Sequence, residues 1–188
     1  RDSMKLADQV AIVTGAGRNI GEETARLFAQ EGAAIAVVDM DRGRADSVTQ
    51  AITAAGGRAK TYLCDVSQED QIVATVAAVA ADWGRLDILI NNVAISDNKH
   101  LFDITKAEWD RVIAVCLTAP MLFSKYAAKA MIAAGRGGKI VNVSSTSGHF
   151  GRGRAIAYTT AKAGVINLTR SLAIQLAPHN IRVNCVVP

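Results

Sequence analysis

Six short apolar runs, each handing over to a stretch of helical periodicity or to a polar turn, constrain this chain more than anything else in it. Residues 9–14, 34–38, 59–63, 86–90, 139–143 and 181–187 are rich in β-branched and other apolar side chains and read as strands. Between them, apolar positions recur with a helical period. One stripe is Ile20, Thr24, Leu27 and Phe28, stopping at Gly32; the next is Ala45, Val48, Ile52 and Ala55, closed by Gly56 and Gly57. Ile72, Val76, Val79 and Trp83 mark a third helix. A long helical region covers 106–134 with a bend expected near Pro120, and another covers 158–176. Strands apolar on both faces, alternating with helices, predict a parallel sheet covered on both sides with right-handed crossovers.

The 188 residues suit one domain spanning 1–188, with Met4 as the expected native start and residues 1–3 as an added extension. Half the residues are hydrophobic and a fifth are charged, which permits a real core and argues against disorder. The net charge of +4 is scattered and few aromatics lie among the basic residues, so no nucleic-acid partner is expected. Cys64, Cys116 and Cys185 form neither a C-x-x-C pair nor a metal spacing with the three histidines; no metal site is expected. Reduced thiols, no signal-peptide core and no apolar run approaching the roughly 18–20 residues of a membrane helix point to a cytoplasmic setting without a membrane partner.

In a sheet of this kind ligands bind beyond the carboxyl ends of the strands. The residues falling there are Gly15, Asp39, Asp65, Asn91, Asn92 and Ser145. The stretch VTGAGRNIGEETA, 13–25, follows the first strand and opens the first helix. Gly15, Gly17 and Gly21, with Arg18, Asn19 and Ile20 among them, form a turn whose backbone N–H groups and helix N-terminus suit a pyrophosphate. Asp39 ends the second strand, where a carboxylate accepts from the adenosine ribose hydroxyls and repels a 2′-phosphate, which favours NAD. Arg18 and Arg42 are cations that keep NADP open.

Tyr158 and Lys162 stand four apart on one helix face. A phenol ordinarily ionises near pH 10, and an adjacent ammonium favours its charged form, bringing it towards acid–base work. Ser145, thirteen residues earlier at a strand end, can hold a substrate oxygen beside that phenol. Alone, each of these is ordinary on helices and strand ends; on the same sheet edge as a nucleotide loop they form a catalytic set.

This ordered set resembles the classical short-chain dehydrogenase/reductase family: Thr14-Gly15 with Gly21, Asp39, Cys64-Asp65-Val66, Asn91-Asn92-Val93-Ala94, Ser145, Tyr158-Thr159-Thr160-Ala161-Lys162, and Ile181-Arg182-Val183-Asn184 before Pro188. The resemblance covers nearly the whole chain. It implies a three-layer Rossmann fold with sheet order 3-2-1-4-5-6. It also implies an NAD(P)-dependent oxidoreductase that moves a hydride between nicotinamide and a secondary alcohol or ketone. Tyr158 would be the acid/base, Lys162 its helper and a ligand of the nicotinamide ribose, and Ser145 the group orienting the substrate oxygen. Asp65 and Val66 would contact adenine, and Asn92, Val93 and Ala94 would line the adenosine side. A homotetramer or homodimer through the long helices is expected.

Four departures accompany the resemblance. Asn19 replaces the middle glycine of T-G-x-x-x-G-x-G, and asparagine enters left-handed conformations readily enough to keep the turn. Val93-Ala94 replaces Ala-Gly. Cys116 stands where the family has a fourth catalytic residue, an asparagine that helps hold a helix bend and a water linking Lys162 to solvent; reduced but not absent turnover is expected, with a weakly active or non-catalytic scaffold homologue as the alternative. The family also continues for roughly 60 residues past such a proline, within the size of one α/β domain, and that continuation carries its seventh strand and substrate lid, which are not expected within residues 1–188. His149, Arg152 and Arg154 read as solvated loop charges.

Overall fold

The computed structural model describes residues 4–188; the expected extension at residues 1–3 lies outside the described residues. Six parallel strands make one sheet: β1 (Val10–Thr14), β2 (Ala34–Asp39), β3 (Arg58–Leu63), β4 (Ile88–Asn91), β5 (Gly138–Val143) and β6 (Ile181–Val186). Their order is β3-β2-β1-β4-β5-β6, the order the family resemblance implies. Ile12 lies between Ala36 on β2 and Leu89 on β4, so the sheet is extended in opposite directions from β1. That reversal opens a crevice at the carboxyl ends of β1 and β4.

Two apolar layers sandwich the sheet. On one face, Ile12, Val38, Leu89 and Ile140 pack under α3 (Glu69–Trp83), α4 (Lys106–Ile113), α5 (Ala119–Ala134) and α6 (Ile156–Leu176). On the other, Val13, Ile35, Val37 and Ile90 pack under α1 (Asn19–Gln30) and α2 (Arg42–Ala54). The central strands β1, β2 and β4 are buried nearly throughout, as expected of strands covered on both faces. The edge strands differ from that expectation. On β6, Ile181 and Val183 are buried while Arg182, Asn184 and Val186 are exposed; β3 is largely open to solvent.

The expected face of α1 needs correction. Ile20 and Leu27 are 52% and 55% exposed, and the buried positions are Gly21 and Ala25. Small residues let the helix start approach the sheet edge closely, and this overrides the larger apolar stripe. In α2 the stripe holds at Ala45, Val48 and Ile52, whereas Ala55 is exposed beyond the last turn.

The expected bend lies just before Pro120. Proline has no N–H for the carbonyl of Cys116 four residues back. The ladder widens over Ala114–Thr118 into a π turn, in which the Ala119 N–H reaches the Ala114 carbonyl, and α5 then starts with Pro120 in its first turn. The whole run Lys106–Ala134 is long and apolar enough to cross a membrane by length and composition, contrary to the sequence expectation. In this fold 56% of its most apolar window is buried in the protein.

Buried polar groups tie the layers together. The Asn91 side-chain amide donates to Asn142 Oδ1 at 2.8 Å, to Ser124 Oγ at 3.2 Å and to the Pro120 carbonyl at 3.3 Å. Asn142 in turn donates to Thr169 Oγ1 at 3.0 Å, and Thr169 donates to the Val165 carbonyl within α6. One polar chain therefore runs from α5 through β4 and β5 to α6.

Candidate active site

The turn between β1 and α1 is built around its glycines. Gly15 has φ +63°, which strongly favours glycine, and Asn19 has φ +52°, the left-handed state expected of it. A Cβ on Gly21 would drive into the Gly15 carbonyl and stand 2.7 Å from Asn92 Nδ2. A Cβ on Gly17 would lie 2.8 Å from both Asp39 Oδ2 and Arg44 Cβ, so Gly17 serves close packing against β2 and α2. Arg18 precedes α1 without a side-chain cap bond, and the first-turn N–H groups at Asn19, Ile20 and Gly21 have no intrahelical acceptor. Uncapped amides over a glycine cradle fit a diphosphate.

Asp39 is already engaged. Its Oδ2 accepts from the Gly17 N–H and its Oδ1 from the Asp41 N–H, each at 3.0 Å. The carboxylate thus fixes the loop as well as marking the end of β2, and each oxygen retains a second lone pair for ribose hydroxyls. Arg18 and Arg42 are solvent-exposed. Asp65 turns inward on its own segment, accepting from Ser67 N and Oγ at 3.0 and 2.8 Å, and Val66 is buried.

Thr14 joins the two halves of the crevice, a role the sequence did not single out. Its Oγ1 accepts from Asn92 N at 3.0 Å and Val93 N at 3.3 Å, and donates to the Ile90 carbonyl. Asn92 Nδ2 returns to the Thr14 carbonyl at 3.1 Å. Asn92 is thereby locked against the glycine turn, with Val93 half-buried and Ala94 exposed beside it.

On the far side of the crevice, Ser145 opens a short 3-10 turn, Thr146–Gly148, and its Oγ exchanges contacts with Ser147 Oγ and N at 3.2 Å. This turn sits directly on α6. Ser144 Oγ donates to the Lys162 carbonyl at 2.7 Å, and a Cβ on Gly148 would stand 2.8 Å from the same carbonyl. Lys162 is only 2% exposed. Its Nζ donates to the Val143 carbonyl at 2.7 Å and lies 5.6 Å from the centre of the Tyr158 ring. Burial pulls the Lys162 ammonium below its ordinary pKa. Ser145, Tyr158 and Lys162 are therefore gathered around one junction of β5 and α6. His149, Arg152 and Arg154, in the segment joining Ser145 to Tyr158, are exposed.

Cys116 lies in the π turn and is fully buried. Its thiol donates to the Ile95 carbonyl at 3.2 Å and accepts from the Ile95 N–H at 3.3 Å. The side chain thus does more than fill space: it pins the segment after β4 to the bend. Burial raises the thiol pKa, against smaller lowering effects of the Ile95 N–H and the Lys162 charge, so the group stays neutral. A second pin went unseen in the sequence: Asp97 accepts from the Tyr158 N–H at 3.1 Å and the Ala157 N–H at 3.4 Å.

Residues 9–188 match the short chain dehydrogenase family, and the chain belongs to it. It is 46% identical over 184 residues to cis-4-hydroxycyclohexanecarboxylate dehydrogenase of Sinomonas cyclohexanicum, an alignment covering 97% of this chain and 73% of that protein. Among solved structures, a metagenomic short-chain oxidoreductase in complex with NADP superposes with a TM-score of 0.93 at 41% identity, covering 97% of this chain and 83% of that one. An NAD+-bound xylitol dehydrogenase does so with a TM-score of 0.93 at 38% identity, covering 98% and 71%. The chain is thus a short-chain oxidoreductase, of a family acting on alcohols or ketones with a nicotinamide cofactor.

Proposed function

We propose that this chain transfers a hydride between NAD and a secondary alcohol or ketone, with Tyr158 as the acid/base. The observation that carries this is the buried Lys162 ammonium, fixed by the Val143 carbonyl and facing the Tyr158 ring beside the Ser145 turn. A cation so placed attracts the phenolate and favours the charged form that takes a proton from an alcohol. Ser145 Oγ donates to the substrate oxygen, and Tyr158 receives or returns the proton on that oxygen. The N–H groups at the start of α1 bind the diphosphate. Val66 and Asn92 to Ala94 line the adenine side, and Tyr158 and Lys162 bind the nicotinamide ribose. Nicotinamide, when bound, supplies the hydride acceptor or donor.

The substrate class is a small alcohol or ketone; the relatives' names suggest a ring hydroxycarboxylate, a polyol and a 3-oxoacyl thioester as first trials. The test follows NADH or NADPH absorbance against this panel. Turnover lost on removing the Tyr158 hydroxyl supports the proposal; cofactor binding without Tyr158-dependent turnover favours a nucleotide-binding scaffold. Exposed Met121, Ile132 and Ile174 on α5 and α6 are the apolar positions through which a dimer or tetramer would form, checked by light scattering.

Asp39 sets the cofactor preference in this proposal. Replacing it with Asn keeps an acceptor for Gly17 but removes the charge that repels a 2′-phosphate. The ratio of kcat/KM with NAD to that with NADP is expected to fall about tenfold or more, since like-charge juxtaposition costs several kcal/mol. An unchanged ratio would show that Asp39 serves only the loop.

Cys116→Asn tests the departure from the family pattern. A thiol bonds weakly, whereas an amide can both donate to and accept from Ile95. Turnover is expected to rise about two- to tenfold, the equivalent of one better hydrogen bond. No gain, in an enzyme already fast, would mean that the thiol suffices.

A further inference from the structure

Helix α6 carries Tyr158 and Lys162, yet it starts without a cap of its own. Its N-cap is Ala155, in the left-handed region with φ 65° and ψ 46°, and alanine offers no side-chain acceptor. The missing acceptor arrives from a segment about 60 residues earlier in the chain. Asp97 Oδ1 takes the Tyr158 N–H at 3.1 Å and Oδ2 takes the Ala157 N–H at 3.4 Å. The Ala155 N–H donates to the Lys99 carbonyl at 2.9 Å. Three N–H groups at the helix start therefore find their acceptors on Asp97 and Lys99.

The other end of this segment is held as well. Ile95 gives both its N–H and its carbonyl to the Cys116 thiol in the π turn. Residues 95–99 thus form a strap from the bend before α5 to the first turn of α6. Among the described residues the Asp97 carboxylate forms no ion pair within 4.0 Å; its hydrogen bonds go to the amides at the helix start, where the helix dipole also favours an anion.

We propose that Asp97 is a positioning residue for Tyr158: by holding that residue's own main-chain N–H, it fixes the first turn of α6 and with it the placement of the phenol between Ser145 and Lys162. The proposal rests on Tyr158 being the acid/base. It assigns Asp97 no contact with substrate or cofactor, and therefore predicts a loss in kcat with little change in binding.

Three variants of the full chain test it. In Asp97→Ala, kcat for the best alcohol of the panel should fall about 10- to 100-fold, the scale at which a small misplacement of a reacting group is felt. KM for alcohol and the affinity for NADH should stay within about twofold, an effect on placement rather than binding. Asp97→Asn keeps the acceptor for the Tyr158 N–H and should restore kcat to within about threefold of wild type, because cap residues Asn and Asp are nearly equivalent. Hydrogen exchange gives a readout free of activity: the Tyr158 amide should exchange about tenfold faster in Asp97→Ala and close to wild type in Asp97→Asn, whose single oxygen keeps that bond while its NH2 leaves Ala157 without an acceptor. Wild-type kcat or wild-type exchange in Asp97→Ala overturns the proposal, as does an Asp97→Asn variant as impaired as the alanine. If Asp97→Ala does not fold, the asparagine variant decides, since a charge-based role would cripple it too. Tyr158→Phe separates the two ideas: if it stays active, the acid/base assignment fails while the exchange data still report on the strap.

Discussion

Replacing Tyr158 with phenylalanine is expected to lower turnover about 10²- to 10⁴-fold, the usual contribution of a positioned general acid or base. The substitution removes one oxygen and leaves the ring in place. Tyr158 is only half-buried, and its ring lies beside a lysine already anchored by the Val143 carbonyl, so neither α6 nor the Lys162 position should depend on the hydroxyl. Thermal stability should therefore stay near wild type, and NADH affinity should fall by no more than the loss of one ribose hydrogen bond, about two- to tenfold. Steady-state kinetics in both directions, with a melting curve and a fluorescence titration of NADH, check this. A variant retaining more than about a tenth of wild-type kcat would point away from Tyr158, because proton transfer in this position contributes far more than that.

Gly21→Ala is expected to have the second largest effect, on binding rather than chemistry. The new methyl group would occupy the space of the Gly15 carbonyl and press on Asn92 Nδ2. The first of these is backbone, held in a turn whose next residue, Ala16, donates its N–H to the Val38 carbonyl, and it has nowhere to rotate. Relief must come from moving the start of α1 away from the turn, which spreads the amides expected to hold the diphosphate. Overpacking of this kind costs about 1–3 kcal/mol of stability. If the helix start shifts, NADH affinity should fall at least about tenfold, since each 1.4 kcal/mol of lost binding is one factor of ten. Isothermal titration and a melting curve decide the matter; wild-type affinity would mean that the cofactor does not rest on this turn.

Much of this was legible in the sequence because it is local. The β1–α1 turn could be placed from three glycines and a preceding apolar run, and the left-handed Asn19 from the residue type alone. Tyr158 and Lys162 share a face through helical spacing. Sheet order followed from family resemblance, since alternation by itself fixes parallel strands but not their sequence across the sheet. The face of α1 was misjudged because periodicity weighs Ile20 and Leu27 above Gly21 and Ala25, whereas close approach to a phosphate turn selects small residues. The open sides of β3 and β6 were missed because edge position is a property of the whole sheet. Asp97 was invisible for a similar reason: a cap is ordinarily sought in the residue before the helix, and here it comes from some 60 residues upstream. Cys116 stood out only as a departure from the family's asparagine, and its two contacts with Ile95 appear only once the β4 segment folds over the bend.

The buried Asn91–Asn142 pair has a consequence for how the two halves of the crevice meet. These residues face each other as register partners on β4 and β5, with their amides joined at 2.8 Å. Sliding β5 by a single residue would turn the Asn142 amide to the opposite face, away from both Asn91 and Thr169, at about 1–3 kcal/mol for a buried group left unmet. The next residue along β4 is Asn92, which grips the glycine turn, and three residues past Asn142 is Ser145. The pair therefore acts as an alignment key. It sets the height of the nucleotide half of the site against the height of the proton-transfer half, so that the two loops arrive level with each other.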